Sequence, residues 1–276
     1  MTLPPGAGAA TRVGGGDINE AFHVELADGR EAFVKTRADA APGEYAAEAA
    51  GLAWLAEPGA IRTPAVLDVG EDYLALEWVQ RGRLDQAGAQ ELGAGLAATH
   101  AAGAPGFGAS GAGASAGFGS LRLSNEPTDD WGTFYAERRL LPLARIARDR
   151  GALSSAGAAA VERVGARIGE LTGPPEPPAR LHGDLWSGNV MADGHGRPWL
   201  IDPSAYGGHR EVDLAMLRLF GAPSERVFAA YDEVAPLAEG WQERVELYQL
   251  LPLLVHALLF GGSYRGAAER VAMRYA

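Results

Sequence analysis

The sequence predicts an α+β chain in two lobes: a small antiparallel β-sheet lobe with one main helix in residues 1–80, and a larger, mostly helical lobe in residues 81–276. Three observations predict it. Short alternating apolar runs, separated by glycine turns, crowd the first part. Helix-length segments rich in Ala, Leu and Glu dominate from Asp85 onward. Between them and the carboxyl end, a polar loop flanked by apolar residues, Leu181 to Val190, precedes a short hairpin and Leu200-Ile201-Asp202.

The first element is Val13-Gly14-Gly15-Gly16-Asp17, which leads into the alternating run Phe22 to Leu26. Glycines between two strands let backbone N–H groups approach phosphate oxygens, so Gly15 and Gly16 are candidates for nucleotide contact; a plain flexible turn reads the same way. Asp28-Gly29 is a strong hairpin signal toward a second strand, Ala32 to Thr36, carrying Lys35. Such a lysine is either an edge charge or a point cation for phosphates, paired with a carboxylate on the next helix. That helix, Gly43 to Ala56, stops at Glu57-Pro58-Gly59. Glu48 shares a face with Leu52 and Leu55 and is the expected partner; Glu44, one turn earlier, is the alternative.

Two more strands, Ala65 to Val69 and Tyr73 to Val79, complete the small lobe. The connector Leu76 to Gly82, with Glu77, Trp78 and Val79, is the place where backbone groups meet an adenine ring if the chain is a two-lobed nucleotide enzyme. A helix from Asp85 to Ala101 follows, then a Gly/Ala/Ser-rich run, Gly103 to Gly119, expected to be a mobile loop because it lacks bulky apolar groups. Helices are expected over Asp130–Arg150 and Ser154–Leu171, and Pro174 to Pro178 delivers the chain extended into Leu181. Asp213 opens an apolar helix, either as its N-cap or as a brace beneath the polar loop. Trp241 to Leu259 reads as a core helix, His23 and His195 as surface residues and His209 as a loop residue.

The polar loop carries the chemistry. Asp184 follows His182 by two residues, Asn189 follows Asp184 by five, and Asp202 ends the next strand; this is the order of groups that phosphoryl transfer from ATP to an alcohol needs. Asp184 is the candidate base for the hydroxyl proton. Asn189 and Asp202 are candidate oxygen ligands for Mg2+. His182 reads as a hydrogen-bonded core histidine.

Composition removes other classes. A net charge of −11 argues against nucleic-acid binding, which draws its strength from a basic surface. Zero cysteines exclude disulfides and thiolate metal sites. The apolar run Leu250 to Phe260 holds Pro252 and His256 and is too short to span a bilayer, and Met1 to Ala10 lacks signal-peptide character, so a cytoplasmic protein is expected. The His, Asp and Glu residues show no zinc-ligand spacing. Self-association is left open.

A set of segments then resembles the fructosamine kinase family over nearly the whole chain. They are Gly15-Gly16-Asp17-Ile18-Asn19-Glu20-Ala21, Phe33-Val34-Lys35, Leu76-Glu77-Trp78, Pro127-Thr128-Asp129-Asp130-Trp131, Glu137-Arg138-Arg139-Leu140, His182-Gly183-Asp184-Leu185-Trp186-Ser187-Gly188-Asn189, Ile201 to Met216, and Leu259-Phe260-Gly261-Gly262-Ser263-Tyr264. The resemblance implies a protein-kinase-like fold and ATP- and Mg2+-dependent phosphorylation of a ketosamine, a fructosamine or ribulosamine, at the sugar 3-hydroxyl, in repair of glycated amines. By position it implies that Lys35 and Glu48 hold phosphates, Asp184 is the base, Asn189 and Asp202 hold metal, and Trp186 and Trp131 lie on the substrate side. Gly108 to Gly119 departs from the family's more polar stretch, which bears on substrate preference. The alternative is another small-molecule hydroxyl kinase of the aminoglycoside or choline kinase type.

Overall fold

In the amino-terminal part, alternation of small and branched apolar residues with polar ones produces strands whose two faces are both put to use. The computed structural model describes residues 2–14, 19–108 and 115–276. Strands β1 (Ala10–Val13), β2 (Glu20–Glu25), β3 (Glu31–Thr36), β4 (Val66–Val69) and β5 (Tyr73–Glu77) form one antiparallel sheet in the order β1-β2-β3-β5-β4. Val24, Ala32, Val34 and Ala75 pack together on one face. Leu74 and Leu76 point the other way, against Tyr45 and Leu52 of helix α1 (Glu44–Ala56). The period of 2 places Lys35 on this second face, under the helix.

Helix α2 (Gln86–Ala101) opens the helical part, and the Asp85 carboxylate caps it by accepting from the Gly88 N–H at 2.8 Å. The long helix expected over Asp130–Arg150 is present in three pieces: α3 (Trp131–Tyr135), a π-helical turn at Ala136–Leu140, and α4 (Leu141–Asp149). Pro142 explains the interruption. It has no N–H to return to the Arg138 carbonyl, which instead accepts from the buried Arg139 guanidinium at 3.0 Å.

The Gly/Ala/Ser-rich run is a correction to the expected loop. Its carboxyl end is a hairpin, β6 (Ser115–Phe118) with β7 (Leu121–Ser124), anchored by buried Phe118, Leu121 and Leu123; positions 109–114 lie outside the described residues. Three apolar anchors at the end of the run supply the burial that its small residues lack.

Helix α5 (Ser155–Leu171) leads to β8 (Ala179–Leu181), followed by the hairpin β9 (Val190–Ala192) and β10 (Pro198–Leu200), then β11 (Tyr206–Gly208). β8 pairs with β11, so the segments that leave one and enter the other start side by side. Helices α6 (Glu211–Leu219), α7 (Glu225–Val234), α8 (Trp241–Leu259) and α9 (Ser263–Tyr275) complete the chain. The core around Phe134, Tyr135, Val161 and Leu254 and a second one around Leu92, Leu185, Leu214 and Tyr231 hold this part together. Among the described residues, no helix is long and apolar enough to cross a membrane.

Candidate active site

Strand β3, helix α1 and the two loops beside the β8–β11 pair meet at one cavity of about 720 Å³. Lys35, 5% exposed, projects from β3, and its ammonium contacts the Glu48 carboxylate and lies 3.0 Å from Asp202 Oδ1. Burial alone would neutralise this amine, but the charges of Asp202 and Glu48 outweigh it and raise its pKa above the ordinary lysine value. Asp202 responds in the opposite direction: burial pushes its carboxyl up, and the Lys35 charge overrides that and holds it below the usual range. Glu48 is dominated by burial, which lifts it to about 7.

Glu44, the alternative partner, is committed elsewhere. Its Oε2 accepts from Arg37 Nη2 at 2.7 Å and from Arg122 Nη2 of β7 at 2.6 Å. The choice between the two glutamates is therefore made by position along α1, Glu48 being one turn deeper into the cleft.

Asp184 comes off the loop after β8. Burial, then the charges of Asp202 and Asp213, push its carboxyl up to about 7. Asn189 donates from Nδ2 to the Asp184 carbonyl at 2.8 Å and to Oδ2 at 3.3 Å, which leaves its own carbonyl oxygen as an acceptor. Asp202 has φ 54°, the single positive value at a non-glycine among the described residues, a strained backbone of the kind found at functional sites. Gly183, at φ 83°, is equally constrained: a Cβ there would stand 2.2 Å from the Ser204 carbonyl oxygen, so the close approach of the catalytic loop to the Asp202 loop at this point requires a glycine.

Asp213 is the brace, not the cap. It lies in the first turn of α6, behind the N-cap Arg210, and its fully buried carboxylate accepts from the His182 N–H at 2.7 Å and the Gly183 N–H at 2.9 Å. Sequence reasoning missed the next links. His100 of α2 reaches Asp213 Oδ2 at 3.2 Å and the Tyr231 hydroxyl at 2.8 Å, joining α2, α6 and α7 beneath the loop. A histidine on an alanine-rich helix carries no local signal of this. His182 itself is fully buried, with Nε2 2.9 Å from the Ile201 carbonyl oxygen.

Trp186 lines the cavity at 38% exposure and stands edge-on to Phe220. Other expected residues are placed elsewhere. Gly15 and Gly16 lie outside the described residues. Trp131 is in the core, 6% exposed, its indole N–H donating to the Tyr248 hydroxyl at 3.1 Å, because α3 turns its apolar side onto α8. Glu77, Trp78 and Val79 do not line the cavity. The Glu77 and Trp78 N–H groups donate to the Ala65 and Glu31 carbonyls at 2.8 and 3.3 Å, and the Trp78 ring stacks on His23 at 4.0 Å. His23 is thus half-buried, while His195 is exposed as expected; His209 is a buried residue between β11 and α6, held by burial at about 4.

The donor set suits a hard divalent cation. Burial and then the Asp202 charge raise Asp184, and Asn189 adds a neutral oxygen beside them. Among the described residues there is no cluster of three His, Cys, Asp or Glu side chains placed to hold a metal ion.

A strand lysine held by a helix glutamate, a second carboxylate on that lysine and a third carboxylate across a shared cleft define a two-lobed, kinase-like phosphotransferase. Aminoglycoside phosphotransferase and choline kinase structures share this fold alone, at 18% and 16% identity. The fructosamine kinase family model matches residues 6–275, and the chain belongs to that family. The crystal structure of a putative fructosamine-3-kinase from Thermobifida fusca matches with TM-score 0.90 and 46% identity, covering 98% of this chain and 93% of that one. A probable ketoamine kinase of Thermus thermophilus is 38% identical over 95% of this chain and 92% of its own length. The chloroplastic protein-ribulosamine 3-kinase of Arabidopsis thaliana is 35% identical over 95% of this chain and 81% of its own. The chain is an ATP-dependent kinase.

Proposed function

We propose that the chain transfers the γ-phosphoryl group of ATP to a sugar hydroxyl of a ketosamine, the 3-hydroxyl of a fructosamine or ribulosamine. The observation that carries the reading is the meeting of Lys35, Asp202 and Asp184 in the cavity that Trp186 also lines; the family supplies the acceptor class.

Lys35, oriented by Glu48, holds the nucleotide phosphates as a fixed cation. Asp184, poised near neutrality, accepts the proton of the acceptor hydroxyl as its oxygen attacks the γ-phosphorus and ADP departs. Asn189 and Asp202 are the residues that would hold Mg2+, which when bound neutralises the phosphate oxygens. The adenine end is assigned to the connector after β5, where the Glu77 and Trp78 N–H groups are bonded to carbonyls and Val79 follows. The nucleotide and catalytic halves divide at residues 80 and 81, and the absence of cysteine fits work in the reducing cytoplasm.

The test is Mg2+-dependent ADP release with ribuloselysine, fructoselysine, an aminoglycoside and choline side by side, with Asp184→Asn as the blank. Turnover of a ketosamine alone is expected. Turnover confined to the aminoglycoside or choline would reject the acceptor while leaving the catalytic groups in place.

A further inference from the structure

The catalytic groups occupy one side of the cavity. The other side is a continuous run of rings that no step above employs. From Trp186 the run passes to Phe220, at 6.1 Å between ring centres, then to His256 at 4.8 Å, and His256 meets Phe260 at 5.3 Å and Tyr264 at 5.0 Å. All five line the same cavity as Asp184. Phe260 is 52% exposed and Trp186 38%, so the wall keeps aromatic faces in water at the cavity mouth.

We propose that this wall is the subsite for the acceptor's amine, taking the protonated secondary amine of the ketosamine on its ring faces and the alkyl stem across Phe260. The proposal rests on the ketosamine reading above. Three observations support it. First, the carboxylates lining the cavity are already engaged: Glu44 holds Arg37 and Arg122, Glu48 and Asp202 hold Lys35, and Asp184 serves the hydroxyl. A cationic acceptor therefore finds its stabilisation in ring faces, which attract cations through their quadrupoles. Second, the placement fits: in a ketosamine the amine is borne two carbons from the one carrying the 3-hydroxyl, and Trp186, the first ring, lines the same cavity as Asp184. Third, His256 is set as an acceptor. Its Nδ1 is 2.8 Å from the Pro252 carbonyl oxygen, so the proton sits on Nδ1 and Nε2 carries a lone pair for an ammonium N–H. Burial lowers its pKa and keeps the ring neutral.

The exposed outer rings have a consequence for scale. A stem that leaves over Phe260 emerges into solvent, so a lysine side chain still attached to a protein can present its sugar to Asp184.

The experiment compares two acceptors of nearly equal shape, N-butyl fructosamine, a cation, and its N-butanoyl amide, which is neutral, on the full-length wild type and on Phe220→Leu, Phe260→Leu and Phe220→Tyr. Wild type is expected to favour the cation, and each leucine variant to raise KM for the cation about 3- to 30-fold, the range of a desolvated cation–π contact. The KM for ATP and for the amide should stay within about 2-fold, and Phe220→Tyr, which keeps the ring, should retain the preference for the cation. Equal losses on both acceptors, or no loss on either, would overturn the subsite and leave the ketosamine reading standing. No turnover of either acceptor by wild type, with ADP release on another alcohol, would overturn the ketosamine reading and the subsite with it.

Discussion

Lys35 Nζ lies 3.0 Å from Asp202 Oδ1, an ion pair that ties β3 of the sheet to the loop after β10, 167 residues further along the chain. One cation therefore serves two acids, Glu48 and Asp202, and holds β3, α1 and the loop after β10 together at the cavity.

Glu48 and Glu44 should separate cleanly in kinetics. Glu48→Gln removes the charge that orients Lys35 and is expected to reduce kcat/KM for ATP by about 10- to 100-fold, the equivalent of roughly 1.4–2.7 kcal/mol. Glu44→Gln loosens Arg37 and Arg122 and should lower the same ratio by less than about 3-fold. Steady-state titration of ATP for both variants decides it, and equal losses would contradict the assignment of Glu48.

Asp184→Asn is expected to keep nucleotide binding and lower kcat by about 10^2 to 10^4. A carboxyl raised to about 7 in the folded chain from an ordinary 3.8 gives two pH effects. The base works ionised, so kcat/KM should fall as pH drops through about 7. The contribution of this group to stability runs the other way: the folded state holds the proton more tightly than the unfolded chain, so that contribution is full below about 4 and is lost as pH rises through about 7. Asp184→Asn should remove that decline and gain on the order of 2 kcal/mol at pH 8. Parallel melting curves at pH 5 and pH 8, with pH–rate profiles, test both signs.

Asp213→Asn places an amide N–H against the His182 or Gly183 N–H, where the buried carboxylate now accepts both. The lost acceptor should destabilise the chain by about 2–4 kcal/mol and slow turnover, since the loop carrying Asp184 loses its support. Denaturant unfolding and kcat measured on the same preparation would test this; unchanged stability would contradict the brace.

Gly188→Ala addresses Trp186. A Cβ at Gly188 would fall 2.2 to 2.5 Å from the indole ring, so the ring must leave its place over the loop. The expected result is a rise in KM for the sugar acceptor of about 10-fold or more, with KM for ATP within about 2-fold, because the displaced group faces the acceptor side. Tryptophan fluorescence of the apo protein should shift in parallel.

Local pattern determined a good deal of this protein. Alternation and Asp28-Gly29 specified strands β2 and β3, and Asp85, Asp130 and Ser154 marked helix starts where their side chains do cap, because these signals are written within a few residues of the structure they set. The spacing of Asp184, Asn189 and Asp202 was legible for the same reason: one loop and one short hairpin place them together. The hairpin at β6 and β7 was not, since its strands are held by three buried apolar residues and by Ser204 Oγ donating to the Gly117 carbonyl, all contacts made at a distance.

Tertiary structure alone decided what depends on two remote segments meeting. It sent Glu44 to two arginines and Glu48 to Lys35, made Asp213 a brace through His100 of another helix, and turned Trp131 into the core while Trp186 faced the cavity. A side chain's residue type states which bonds it can make; burial and the neighbour that the fold brings within 3 Å determine which one it does make.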